Sequence, residues 1–162
     1  MNLSNSLHQI YLFIALSIIC SMSFNILRSN SIGLIAKDLL KVESVEEFNT
    51  NDSQGIIEIS LEIAKDLFDK NILFIDARAE EYFIEGHIPG ALCNDDFDQL
   101  MDDIDSRLTD NNYFIVYCSD DDCGSSEELA RRLFDQGYLK IYLFKGGWKQ
   151  WTENNFPTKK QS

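Results

Sequence analysis

The stretch Tyr113-Phe114-Ile115-Val116-Tyr117 leads into Cys118-Ser119-Asp120-Asp121-Asp122-Cys123-Gly124 and then into a helical pattern from Ser125 to Phe134. A five-residue apolar run bounded by turn residues reads as a strand buried on both faces, which is what a parallel sheet contains. A strand, a tight loop opening on cysteine and a helix form one unit. Backbone amides of such a loop and the N-terminal end of the helix favour negative charge at one point. A cysteine held there is stabilised as the thiolate, its reactive form.

The rest of the chain from residue 56 repeats the alternation. Short apolar runs at Ile56–Ile59, Ile72–Ile75, Ala91–Cys93 and Ile141–Phe144 read as strands. Helical patterns lie between them: Ser60 capping Leu61 to Phe68, a turn at Glu80–Ile84, Phe97–Leu108, and a closing helix carrying Trp148 and Trp151. Gly137 sits where glycine ends a helix. Strands alternating with helices predict an α/β fold, a parallel β-sheet flanked by helices on both faces.

Before this domain, Ile10 to Leu27 is an apolar run without a charged residue. At 1.5 Å per residue its 18 positions would span about 27 Å, close to a bilayer core. The sequence expectation is one transmembrane helix within residues 1–28, a juxtamembrane segment and linker at 29–55, the globular domain at 56–157 and a tail at 158–162. Arg28, Lys37 and Lys41 follow the run, so the positive-inside tendency places the domain in the cytoplasm as part of a single-pass membrane protein. The alternative is export, with residues 1–23 as a signal peptide and Ser21-Met22-Ser23 as a loose cleavage site.

Composition narrows the function classes. The 162 residues carry a net charge of -13, which argues against nucleic-acid binding because that requires basic patches. The four cysteines, Cys20, Cys93, Cys118 and Cys123, are not spaced as a disulfide framework. With only His8 and His87 beside them, no metal site is expected. No organic cofactor is implied.

Four blocks then occur in order. Asp76-Ala77-Arg78 follows a buried strand; Tyr82 precedes Gly86-His87-Ile88-Pro89-Gly90-Ala91; Tyr117-Cys118 opens the cysteine loop; Gly137-Tyr138, Leu143 and Gly146-Gly147-Trp148 close the domain. In this the chain resembles the rhodanese-like family, over residues 56 to 157 and not over residues 1 to 50. The resemblance implies a persulfide-forming sulfurtransferase with Cys118 as the catalytic cysteine. It also implies a sulfane-sulfur donor and a thiol or protein acceptor. The loop residues Ser119, Asp120, Asp121, Asp122, Gly124, Ser125 and Ser126 would hold the anion, and Asp76 and Arg78 would stand at the pocket rim.

The chain departs from the family pattern in the loop, which is about two residues longer and contains Cys123, a candidate resolving thiol. Asp120, Asp121 and Asp122 stand where cationic or small residues are usual, and they repel an anionic donor such as thiosulfate. The related phosphatase chemistry needs an arginine late in the loop, where Cys123 and Gly124 stand instead. Two other readings stay open: a non-catalytic, membrane-tethered binding or regulatory module, and a Cys118/Cys123 disulfide switch.

Overall fold

A computed structural model describes residues 3–27, 39–42, 54–108, 112–120 and 124–161, with side chains of the first helix over 8–24. The chain divides into two compact units, Met1–Asp38 and Leu39–Ser162.

In the first unit, helix α1 covers Leu3–Leu27. The expected membrane span is overturned: among the described residues no helix is long and apolar enough to cross a membrane. Ser17, Ser21 and Ser23 interrupt its apolar run. The single-pass membrane location and the cytoplasmic placement that rested on it fall with the span.

The second unit is a five-stranded sheet with strand order β1-β2-β5-β4-β3, in which all four neighbouring pairs are parallel. The strands are β1 (Leu40–Val42), β2 (Gly55–Ile59), β3 (Phe74–Asp76), β4 (Phe114–Tyr117) and β5 (Lys140–Phe144). The helices are α2 (Leu61–Asp69), α3 (Glu80–Glu85), α4 (Phe97–Arg107), α5 (Ser125–Asp135) and α6 (Gly147–Glu153). The α/β architecture expected from the alternation is therefore present. Two details differ. Leu40–Val42, within the segment read as a linker, pairs with β2 as an edge strand. The strand expected at Ala91–Cys93 shrinks to a single bridge between Leu92 and Ile75, because the preceding Gly86–Ala91 turns leave only one residue beside β3.

Side-chain alternation explains why the central strands are apolar throughout. Ile115 and Tyr117 of β4, with Tyr142 and Phe144 of β5, pack on one face with Ile63 and Leu67 of α2 and Trp151 of α6. Phe114, Val116, Ile141 and Leu143 pack on the other face with Leu100 and Ile104 of α4 and Ala130 and Leu133 of α5. Each strand thus buries both its odd and its even residues. Local capping fixes the helix starts. The Ser60 hydroxyl accepts from the Ile63 amide at 3.4 Å. The Asp96 carboxylate accepts from the amides of Asp98 and Gln99 at 3.0 and 3.2 Å.

Candidate functional site

Cys118 is the first residue past β4, at the carboxyl end of the sheet, where the loop turns toward α5. It is buried, at 1% exposure. Its Sγ lies 2.9 Å from the Ser125 Oγ in the first turn of α5. Cys118 is disulfide-bonded, whereas Cys20 and Cys93 are free.

The Cys118 end of the loop is clamped by α6. The Trp148 amide donates to the Cys118 carbonyl at 2.8 Å, and the Lys149 amide donates to the Ser119 carbonyl at 2.8 Å. This approach requires Gly147. Its φ is +55°, and a Cβ there would fall on the Cys118 carbonyl. The Gly146-Gly147-Trp148 block therefore acts on the cysteine loop from 30 positions downstream in the chain.

Of the other expected loop residues, Ser119 is exposed, Asp120 half-buried and Ser126 buried, and Gly124 sits at the N-cap of α5 in a helical conformation. Asp121, Asp122 and Cys123 lie outside the described residues. Glu127 and Glu128 occupy the first turn of α5 and offset part of the positive helix end. A hydrogen bond from Arg131, aided by the charge of Lys145, holds the Glu127 carboxyl below its ordinary range.

Asp76 and Arg78 both line a cavity of about 230 Å³ that also takes in Ser125, Glu128 and Arg132. The rim position expected for them is thus beside the loop. Their polar groups, however, are largely engaged with each other. The Asp76 carboxylate accepts from Arg78 Nε at 2.9 Å and from Nη2 at 2.6 Å, and from the Arg78 amide at 3.0 Å. Arg78 Nη2 also donates to the Gly86 carbonyl at 2.7 Å. The pair is nearly inaccessible, with side-chain exposures of 6% and 0%. Burial works against the Arg78 charge, and the Asp76 hydrogen bonds and charge more than restore it, so its pKa is raised.

Sequence reasoning missed the extent of this network. The Tyr117 hydroxyl donates to Asp76 at 2.6 Å and accepts from the Ile88 amide at 3.2 Å. Burial, reinforced by the Asp76 charge, pushes the Tyr117 hydroxyl well up. The Arg78 guanidinium lies over the Trp148 ring at 4.9 Å. Strand-end motif, glycine-histidine loop and closing helix are therefore one connected frame under Cys118. The signal was present as three separate motifs, but their contact is long-range and nothing in the local sequence prints it.

Cys93, at the end of the Ala91–Cys93 run, is half-buried and donates from Sγ to the Arg78 carbonyl at 3.3 Å. Burial, with the charge of Asp76 next, pushes its thiol up to about 12. Among the described residues no group of three or more His, Cys, Asp or Glu side chains is placed to hold a metal ion.

The rhodanese-like domain family model matches residues 60–154, and the chain belongs to that family. A thiosulfate sulfurtransferase of Arabidopsis thaliana chloroplasts is 26% identical over 114 residues, covering 62% of this chain and 91% of that protein. An uncharacterized protein of Buchnera aphidicola is 30% identical over 92 residues, 56% of this chain and 63% of its own length. The chain thus spans less than two thirds of that relative. The solved BH2092 protein of Bacillus halodurans shares the fold, with a TM-score of 0.54 at 23% identity over 64% of this chain and 76% of that one.

Proposed function

We propose that the protein is a sulfurtransferase that carries sulfur as a persulfide on Cys118. The observation that supports this reading best is the place of Cys118. It stands at the carboxyl end of a central strand, its Sγ 2.9 Å from a hydroxyl in the first turn of the next helix. Family membership and the sulfurtransferase name of a relative point the same way.

In the reaction, the Cys118 thiolate attacks the outer sulfur of a sulfane donor. The donor's S–S bond breaks, its remaining fragment leaves with the electron pair, and Cys118 keeps a terminal sulfur as an S–S⁻ group. An acceptor thiolate, free or on a protein, attacks that terminal sulfur and restores the Cys118 thiolate. Ser125 Oγ–H, 2.9 Å from Sγ, would donate to the Cys118 thiolate before attack and after release. The Asp120 to Asp122 run disfavours a dianionic donor such as thiosulfate.

A second reading is favoured by the disulfide on Cys118. With Cys20 and Cys93 free, Cys123 is the remaining cysteine of the chain. A Cys123 thiolate attacking the inner sulfur of the persulfide would form a Cys118–Cys123 disulfide and release hydrosulfide. A reducing thiol then reopens it, so the loop would alternate between a transferring and a locked form.

Intact-mass spectrometry of the reduced full chain, exposed briefly to polysulfide or to thiosulfate, tests both readings. The wild type is expected to gain one sulfur, Cys118→Ser none, and Cys123→Ser a longer-lived adduct. Failure to gain sulfur from either donor would sink the transferase reading. An adduct of equal lifetime in Cys123→Ser would sink the resolving role.

A further inference from the structure

A second cavity, of about 280 Å³, lies under the Gly86–Ala91 loop and shares no lining residue with the cavity beside Cys118. Three separate elements bring basic groups to it: His87 from the loop after α3, Arg107 from the last position of α4, and Lys159 from the terminal segment. His87 and Lys159 form an antiparallel bridge, exchanging both backbone hydrogen bonds at 2.9 Å. Directly opposed residues of such a pair project their side chains to the same side. In a chain with 27 acidic and 14 basic residues, no described Asp or Glu lines this cavity, and neither Arg107 nor Lys159 has an ion-pair partner among the described residues.

His87 is the polar floor. It is 5% exposed and stacks on Phe83 with ring centroids 3.8 Å apart. Its Nδ1 lies 2.7 Å from the Phe83 carbonyl oxygen. A carbonyl only accepts, so Nδ1 carries the proton and Nε2 of the neutral ring is an acceptor. Nε2 has no hydrogen-bond partner among the described residues, yet no buried side-chain nitrogen or oxygen among them is left unpartnered. Nε2 therefore reaches open space, and the cavity that His87 lines supplies it.

Next to this lies a larger trough, about 420 Å³, that shares Gly90 and Arg107 with the basic cavity. Phe68, Ile72, Pro89 and Tyr113 wall it, toward the amino ends of β3 and β4 and so at the end of the sheet opposite Cys118.

We infer that the two cavities form one binding site for a small hydroxycarboxylate with an apolar body. The carboxylate meets Arg107 and Lys159, the ligand hydroxyl donates to His87 Nε2, and the body lies against Phe68, Ile72 and Tyr113. The two cations select for negative charge, the histidine acceptor selects for a neighbouring donor, and the trough selects for apolar bulk.

Titration of the ¹⁵N-labelled full chain with phenyllactate, followed by amide chemical shifts, tests the site. Saturable shifts are expected at His87, Gly90, Arg107 and Lys159. Arg107→Gln and Lys159→Gln, both at exposed positions, should each weaken binding about 10-fold, the equivalent of about 1.4 kcal/mol. Phenylpropionate, which lacks the hydroxyl, and lactate, which lacks the ring, should each bind at least about 10-fold more weakly than phenyllactate. Absence of saturable shifts, or unchanged affinity in both variants, would overturn the site. Equal affinity for the three acids would overturn the assigned roles of His87 and the trough. The spectrum of each variant reports whether it is folded.

Discussion

Two strand ends lie side by side at the carboxyl edge of the sheet, and they are built in opposite ways. The turn after β3 ties the Asp76 carboxylate to Arg78 and Tyr117, and the Arg78 guanidinium to Asp76 and Gly86. The turn after β4 opens on the disulfide-bonded Cys118, held to α6 by backbone hydrogen bonds and approached by Ser125. The difference teaches a division of labour. One turn is fixed through its ionic side chains, and the start of the other is fixed through its backbone, from α6.

The strongest way to break this comparison is Asp76→Ala. It leaves the Arg78 guanidinium buried without its carboxylate, and removal of one partner of a buried pair costs about 3–5 kcal/mol. A urea unfolding curve with an unchanged midpoint would show that the frame is dispensable. Gly147→Ala comes next. The residue would have to hold φ at +55° while its Cβ displaces the Cys118 carbonyl, for a loss of about 1–3 kcal/mol in stability. Sulfur uptake by Cys118 should fall about 10- to 100-fold, since small misplacements at a reacting atom are costly. Uptake at the wild-type rate would mean that α6 does not position the loop.

The smallest effect sharpens the comparison between two thiols. Cys93 touches the ionic turn, and burial raises its thiol to about 12. It is protonated at neutral pH, and its charge appears only as pH climbs toward that value. In the reduced full chain, iodoacetamide at pH 7 should therefore label Cys118 ahead of Cys93. Labelling of Cys93 should accelerate with pH through the alkaline range. Equal rates at pH 7 would remove the chemical distinction between the two strand ends.

Much of the fold was legible in the sequence because the central strands bury both faces. Phe114 to Tyr117 and Ile141 to Phe144 could only be apolar runs. What failed was local in sequence but decided at a distance. Leu40–Val42 is three residues with an exposed lysine, and it is a strand only because Ile57 to Ile59 lie beside it. The charge-free run at Ile10 to Leu27 carried a membrane reading that hydropathy alone suggested and that the described helix does not sustain. Cys118 itself stood out because strand, loop and helix are contiguous. Its supporting frame did not, since Tyr117 and Asp76 are 41 positions apart.

The strand order has a consequence for how the molecule is made. β2 borders β1 and β5, and β5 starts at Lys140. While a ribosome is still adding the preceding residues, β2 has no neighbour through which to join β3 and β4. The sheet closes only once β5 is available to insert between β2 and β4. Long-range pairing of this kind is slow and leaves strand edges open meanwhile. A chain truncated before Lys140 is expected to present the β2 edge to chaperones or to other chains, whereas one ending after Glu153 carries the whole sheet.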